Sequence, residues 1–313
     1  ENGIDLTDLA DKKDDRYISG FSPGKYQGIS EMHDLIIDPG NIRGNNCLYL
    51  VMNGWIFPTD ASINYAVSQT GKSLSIPPYL QVMDRDGNWK TIIENIGFPM
   101  GKNKTVITDI SGKFLSADRR IRIRTNMEIY WDYICFATTC YENTVRSTSL
   151  LPGKSDLHFR GFSSLYRKGG RYGPHWFDYA RVSTEPKWRD LTGNYTRYGD
   201  VGELLLDDDN RYIIMNAGDE VSIEFEATGL PVLPKGWTRN FLIHSIGWVK
   251  DGDLNTTNGQ EVMPLPYHGM DQYPYSKSDR YPETDDLKVY NRKYNTRAVT
   301  GQKFKDEIRE LVD

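Results

Sequence analysis

Two consecutive stretches decide the fold: Arg120-Ile121-Arg122-Ile123-Arg124 and Ile129-Tyr130-Trp131-Asp132-Tyr133-Ile134-Cys135-Phe136. The first alternates charged and apolar side chains, which predicts a strand with one buried face and one wet face. The second is apolar on both faces apart from Asp132, as a central strand would be. Together they predict a protein built on β-sheets.

The apolar faces of these stretches predict how they pair as an antiparallel hairpin over residues 120–136. Placing Ile123 opposite Trp131 puts the apolar side chains on one side and sets a loop at residues 125–129. The register one residue away would set a charge among the core side chains, which is costly. Arg122 is therefore expected opposite Asp132.

The outer face of this hairpin is the candidate ligand site of the first domain. The ion pair of Arg122 and Asp132, with Arg124 near Tyr130, offers two guanidinium groups and a carboxylate beside a ring. On a concave face this set suits a sugar or a carboxylate. On an exposed face it is simply solvated and sets the strand register.

Strand patterns continue from about residue 47 to residue 250, in runs of 5–10 residues between Gly, Pro, Asn and Asp clusters. Residues 84–88 predict a hairpin turn between strands at 79–83 and 89–93. His244 shares a strand face with Leu242, Ile246 and Trp248 and is expected to be a hydrogen-bonded core residue. This spacing of strands is typical of β-sandwiches and jelly rolls.

The C-terminal part differs from the rest. Residues 251–300 contain Tyr-Pro pairs but no period, so the segment is either disordered or an irregular strap packed on a surface, and the aromatic residues favour the strap. Phe304, Ile308 and Leu311 follow a helical spacing, which predicts one helix over 301–312 with Thr300 as its N-cap. We expect an N-terminal arm at 1–40, β-sandwich domains at 41–145 and 146–250, and the strap with its helix at 251–313.

Composition narrows the class of protein. The net charge of −5 carries no basic field, so nucleic acid is not an expected partner. No stretch approaches the roughly 20 apolar residues of a spanning helix, so no transmembrane segment is expected. The three cysteines are odd in number and widely spaced, and form neither a disulfide framework nor a zinc signature.

Seven stretches of the chain resemble a known family: residues 15–21, 97–105, 122–132, 188–190, 194–200, 247–256 and 264–270. On these stretches the chain resembles the C-terminal region of bacterial proteins built from FG-GAP propeller repeats and an ASPIC/UnbV segment, some with tetratricopeptide repeats. The resemblance runs along nearly the whole chain. It implies an exported, bacterial accessory module, in the periplasm, on the cell surface or secreted, and it brings no chemistry with it.

Signals for catalysis and metal binding are weak. No nucleophile elbow, His-rich zinc spacing or phosphate loop is present. A glycosidase would need two carboxylates across a cleft, and the candidates near aromatic residues are Glu128, Asp132, Asp178 and Asp190. The run Asp251, Asp253 and Asn255 has oxygen ligands at alternate positions, so calcium is the expected metal if any is bound; the alternative is a solvated turn.

The sequence therefore favours a non-catalytic, extracytoplasmic binding or structural module of two β-sandwich domains, the first resembling galactose-binding-like jelly rolls. The aromatic share of 12% is suited to stacking on sugars, so carbohydrate is one possible ligand and another surface protein a second, while core packing is the favoured explanation for any single tryptophan. One alternative is a carbohydrate-active enzyme with a carboxylate pair. Another is a docking unit for a propeller or repeat partner.

Overall fold

The chain is mostly strand, arranged in several antiparallel sheets, with few helices. The computed structural model describes residues 3–42, 47–70, 75–138, 145–168, 174–185, 190–250, 252, 259–276 and 278–301. Within these ranges the helices are α1 (Thr7–Ala10), α2 (Ala61–Ser68) and α3 (Asp285–Tyr294). The strands are β1 (Ile29–Ile37), β2 (Tyr49–Ile56), β3 (Tyr79–Met83), β4 (Trp89–Ile93), β5 (Lys104–Asp109), β6 (Ile121–Met127), β7 (Ile129–Ala137), β8 (Pro152–Phe159), β9 (Phe162–Arg167), β10 (His175–Ser183), β11 (Gly193–Tyr195), β12 (Asp219–Phe225) and β13 (Arg297–Val299).

The chain divides into two compact units. Unit 1 comprises Glu1–Val145 and Leu165–Phe177, and unit 2 comprises Arg146–Ser164 and Asp178–Asp313. The N-terminal residues belong to unit 1, to which they supply α1 and β1. No described helix is both long enough and apolar enough to cross a membrane.

Unit 1 contains one sheet of four strands, in the order β1-β6-β3-β4, and one of three, in the order β5-β2-β7. The alternation in β6 buries Ile121 and Ile123, as predicted, and leaves the arginines between them only half-buried. Apolar side chains from both sheets meet in one cluster, which includes Leu50, Met52, Leu80, Val82, Ile121, Ile123, Ile129 and Trp131. The turn at 84–88 joins β3 and β4 as predicted, with Met83 opposite Trp89.

The predicted hairpin of residues 120–136 is wrong. β6 pairs with β1 and β3, whereas β7 pairs with β2 in the other sheet. The chain changes sheets at Glu128, whose backbone bonds to Gly28 and Phe57 rather than closing a turn. Ile123 and Trp131 do share a core, but they enter it from two different sheets. The alternation of apolar and polar residues predicted the buried faces correctly. It could not distinguish a strand that pairs within the same sheet from a strand of the opposite sheet that packs against it.

Unit 2 is built from smaller sheets. β8 pairs with β12 and β11 with β13, and β9 and β10 form a hairpin through which the division between the units passes. The segment expected to be an irregular strap contains α3, which begins after the N-cap Thr284 and packs Leu287, Tyr290 and Tyr294 around Leu157. The predicted helix over 301–312 lies almost wholly outside the described residues.

The strand expected at 242–248 is absent from unit 2. Residues 226–250, all of them described, have no helix or strand, and Leu242 is 97% exposed. His244 is exposed rather than a core residue. The alternating pattern is present, but in this structure its residues pair with no sheet edge.

Candidate functional site

The four residues predicted to form one ligand site lie in two places. Arg122 and Arg124 are on the outer face of the four-stranded sheet, and Tyr130 and Asp132 are on β7 of the three-stranded sheet. The partner of Arg122 is Asp34 of β1 at 3.4 Å, not Asp132. The predicted Arg122–Asp132 ion pair, and the site built on it, are therefore wrong.

The arginine pair has a structural role. Arg122 donates from Nε to Oε1 of Gln81 at 2.7 Å and lies 4.8 Å from the centre of the Trp89 ring. Asp34, whose side chain is only 5% exposed, forms ion pairs with both Arg122 and Arg124, each at 3.4 Å. These contacts hold β1, β3 and β6 in register and leave little of Arg122 for a ligand.

Tyr130 is also engaged within the protein. Its ring stacks on Trp55 at 5.0 Å, and its hydroxyl donates to Oε1 of Glu128 at 2.6 Å. Glu128 in turn accepts the N–H of Gly28 at 3.1 Å. With Tyr130 6% exposed and Glu128 9%, this aromatic cluster is interior packing.

Asp132 occupies a β-bulge. Asn53 and Gly54 of β2 are neighbours, yet they pair with Tyr133 and Trp131, so that Asp132 is the extra residue on β7. A bulge disrupts the ladder and re-aims the side chain at that point. Asp132 is fully buried, although it is a charged residue.

Glycine is required opposite the bulge. A Cβ on Gly54 would lie 2.3 Å from the carbonyl oxygen of Tyr130 and 3.0 Å from Cα of Trp131. Those contacts are with backbone, which cannot move aside as a flexible side chain would. The Gly-Trp pair of β2 therefore permits the bulge that presents Asp132.

The N-terminal segment closes over this point. Asp14 donates its N–H to Oδ1 of Asp132 at 3.2 Å, and Ile18 donates its N–H to the carbonyl of Trp131 at 2.8 Å. Between them Asp15 has φ +64°, a conformation that costs energy for a residue with a side chain. The segment thus runs along the edge of β7 with a strained residue beside Asp132.

Asp15 is at the centre of a polar network in unit 1. Its carboxylate forms an ion pair with Lys168 at 3.0 Å. It also accepts hydrogen bonds from the Tyr17 hydroxyl at 3.3 Å and from Nδ2 of Asn103 at 3.4 Å. Tyr17 also bonds to Asn103. We call Asn53, Asp132, Asp15, Tyr17 and Asn103 the bulge site.

Burial dominates the electrostatics of the bulge site. It raises the pKa of Asp132, opposed by the N–H groups of Asp14 and Asp15, and it raises the pKa of Tyr17. The hydrogen bond to Asp15 raises the pKa of Lys168. Burial thus disfavours the charged form of Asp132 more than its two backbone N–H donors favour it.

A second feature of unit 1 is an open groove of about 680 Å³. It lies between the β3–β4 turn and the loop that connects β5 to β6, and we call it the loop groove. Its lining combines a ring with polar and charged side chains: Met83, Asp84, Arg85, Gly87, Phe114, Leu115, Ser116, Ala117 and Asp118.

Both carboxylates of the loop groove are held as hydrogen-bond acceptors. Asp84 accepts the N–H groups of Asn88 at 2.8 Å and Asp86 at 2.9 Å, and the bond from Asn88 is the largest cause of its lowered pKa. Asp118 accepts Nη2 of Arg120 at 2.6 Å, which lowers its pKa in the same way. Both groups are therefore ionised near neutral pH.

The other sequence candidates are dispersed. Glu128 and Asp132 lie in unit 1, and Asp178 and Asp190 in unit 2. The predicted calcium ligands Asp251, Asp253 and Asn255 are outside the described residues. Among the residues that are described, no three His, Cys, Asp or Glu side chains are grouped so that they could hold a metal ion.

Sequence reasoning missed most of both sites. Asp132 could be singled out, as the one charge in an apolar strand, and the turn at 84–88 was recognised. Asp15, Tyr17 and Asn103 meet only because the N-terminal segment runs along the edge of β7. Phe114 lies in a loop that no periodic pattern marks.

Comparisons with protein families, with characterised proteins and with solved structures give no match.

Proposed function

We propose that this chain is a non-catalytic, extracytoplasmic binding module whose first unit is a galactose-binding-like β-sandwich that binds carbohydrate in the loop groove. The shared core of two antiparallel sheets supports the sandwich part of this proposal. The resemblance to the C-terminal regions of FG-GAP and ASPIC/UnbV proteins supports the accessory role.

The lining of the loop groove carries the proposal. Its volume is in the range of small-ligand sites. Phe114 is half-buried against the core and has the Arg119 guanidinium 4.8 Å from its ring centre, so only the rest of its ring can serve as an apolar surface for the C–H face of a sugar. Asp84 and Asp118 supply fixed acceptors for hydroxyl groups. Neither carboxylate needs to be ordered on binding, because backbone and arginine donors already hold both in place.

The same two carboxylates argue against hydrolysis in the groove. A glycosidase requires one carboxyl that keeps its proton near neutral pH, with a raised pKa. Hydrogen bonds lower the pKa of both Asp84 and Asp118, so neither is suited to act as the general acid. The groove therefore favours binding over cleavage.

A disulfide supports the extracytoplasmic location. Cys47 is disulfide-bonded, while Cys135 is a free thiol. Disulfides persist mainly in oxidising compartments outside the cytosol.

The test is a glycan array followed by calorimetry on the best ligand, comparing wild type with Phe114→Ala. We expect affinity to fall about 10-fold or more, because one stacking surface is lost. Tyr65→Ala is the matched control, since Tyr65 is 53% exposed on α2 and does not line the groove. An array without signal, or equal binding by both variants and wild type, would contradict the proposal.

A second candidate function, docking to a protein, is favoured by one observation in unit 2. Phe241, Leu242, Ile243 and Val249 are 70–97% exposed in an apolar stretch that has no strand or helix of its own. An exposed apolar segment of this kind marks an interface, and its pattern fits strand addition to the open sheet edge of a partner such as a propeller blade.

The exposed segment gives this second candidate a direct test. Leu242→Ala should change the free energy of unfolding by about 0.5 kcal/mol or less, because the side chain contacts little. Leu157→Ala, in the fully buried core of the same unit, should cost about 2–5 kcal/mol. A loss of that size at Leu242 would show that the segment packs inside the chain and rule out docking through it.

A further inference from the structure

Four buried side-chain atoms of the described residues lack a hydrogen-bond partner: Asp34 Oδ1, Asn53 Oδ1, Asp132 Oδ2 and Trp176 Nε1. Buried polar atoms are nearly always paired, so each unpaired one needs an explanation. For Asp34 the explanation is the charge of Arg124, whose Nε lies 3.4 Å from Oδ1. Asn53 and Asp132 have none, and they belong to the same bulge.

The two unpaired oxygens are brought together by the strand register. Asn53 faces Tyr133, the residue after Asp132. Its Nδ2 donates to Oγ1 of Thr105 at 3.0 Å on the opposite neighbour, β5, so Oδ1 is turned away from that contact. Asn53 is 3% exposed and Asp132 is 0% exposed. Both oxygens therefore lie in a part of unit 1 that is closed to bulk water.

The charges around these two oxygens do not balance. Asp14 is paired with Arg16 at 2.8 Å, and Asp15 with Lys168 at 3.0 Å. Asp132 accepts backbone N–H groups but forms no ion pair in the described part of the chain, and Lys168, which is paired with Asp15, acts on it only at longer range. A buried carboxylate is stable only when paired, protonated or bound to a cation.

The chemistry of the donor set selects the class of ligand. Two buried acceptor oxygens need a donor or a cation, and burial this complete favours a small one. Every polar group of the bulge site offers oxygen, which hard cations prefer. One uncompensated carboxylate with neutral amide oxygens balances a single positive charge, and no three-carboxylate group for a divalent ion is present among the described residues.

We propose that the bulge site binds one alkali-metal cation, sodium or potassium, between Oδ2 of Asp132 and Oδ1 of Asn53. The cation neutralises Asp132 and thereby fastens the N-terminal segment to β7. This site is separate from the loop groove, so it does not depend on carbohydrate binding.

The test compares melting temperatures of the full chain in sodium, potassium and choline chloride at equal ionic strength. Wild type should melt about 3 °C or more higher in at least one alkali salt, with a saturable dependence on its concentration. Asp132→Asn, isosteric and neutral, should abolish the difference between salts. Asp109→Asn is the matched control, because it removes a charge from β5 of the same sheet and should keep the wild-type response.

Sodium-23 NMR provides a direct readout, with line broadening expected for wild type and for Asp109→Asn but not for Asp132→Asn. If Asp132→Asn does not fold, Asn53→Ala replaces it and should likewise lose the salt difference. Equal melting of wild type in all three salts would overturn the proposal. So would an alkali response that survives in both bulge-site variants.

Discussion

The backbone N–H of Asp14 donates to Oδ1 of Asp132 at 3.2 Å, joining residues 118 positions apart in the sequence. Together with the bond from Ile18 to Trp131, it lays the N-terminal segment along the free edge of β7. At Trp131 the edge of β7 is thereby closed to pairing with another chain. Asp132 is thus a fastening point for a segment with little secondary structure of its own.

Asp132→Ala is expected to destabilise unit 1 by about 2–3 kcal/mol. The substitution leaves buried N–H groups without an acceptor and opens a small cavity. Denaturant titration followed by tryptophan fluorescence measures the change. Asp109→Ala, an exposed aspartate on β5, should cost less than about 1 kcal/mol; equal losses would show that burial of Asp132 has no special role.

Gly54→Ala is expected to destabilise unit 1 by about 3 kcal/mol or more. Its Cβ would lie 2.3 Å from the carbonyl oxygen of Tyr130, so β2 or β7 must shift. Gly153→Ala on β8 is the matched strand glycine. A Cβ there would lie an ordinary 3.5 Å from the carbonyl of Glu224, and no comparable loss should appear in thermal melts.

The bulge explains which part of unit 1 the sequence could predict. Alternation identifies the buried face of β6 and the apolar character of β7, because burial depends on each strand's own pattern. The pairing partner depends on where Glu128 turns the chain, and the backbone bonds of that residue reach Gly28 and Phe57, far away in sequence. No local pattern at residues 120–136 encodes those contacts.

The corrected register predicts how Arg122 couples to its neighbours. A double-mutant cycle of Arg122→Ala with Asp34→Ala should give an interaction energy of about 1 kcal/mol or more, since the two groups lie 3.4 Å apart and are largely buried. The cycle of Arg122→Ala with Asp132→Ala should give about 0 kcal/mol. An interaction energy with Asp132 and none with Asp34 would instead support the predicted hairpin of residues 120–136.

Unit 2 shows the complementary limit of sequence reasoning. The helix α3 has a clear N-cap in Thr284 and buries Leu287, Tyr290 and Tyr294, a spacing of three and four residues. The Tyr-Pro composition around it obscured this short period. Conversely, residues 242–248 alternate well but pair with nothing, because alternation shows what a segment could bury and not whether a sheet edge is there to receive it.

A buried tyrosine, Tyr195, and a half-buried one, Tyr281, predict a loss of stability of unit 2 in alkali. Burial raises the pKa of Tyr195 and Tyr281 to about 12, whereas an unfolded tyrosine ionises near its ordinary value of about 10. Between these values the unfolded chain releases protons that the folded chain retains. The free energy of unfolding is therefore fully maintained below pH 10 and falls as pH rises towards 12.

Single tyrosine-to-phenylalanine variants test how steeply the free energy of unfolding falls with pH. Tyr281→Phe removes the bond from its hydroxyl to the carbonyl of Asn210 at 3.1 Å, so it should cost about 1 kcal/mol at pH 8. Above pH 10 its free energy of unfolding should decline less steeply than that of wild type, because one buried proton is no longer lost on unfolding. Tyr195→Phe, which loses a bond to the carbonyl of Leu191, should behave alike. Urea titrations at half-unit steps from pH 8 to 12, with phenolate absorbance followed at each step, measure both effects, and slopes equal to wild type in both variants would contradict the argument that burial holds these protons.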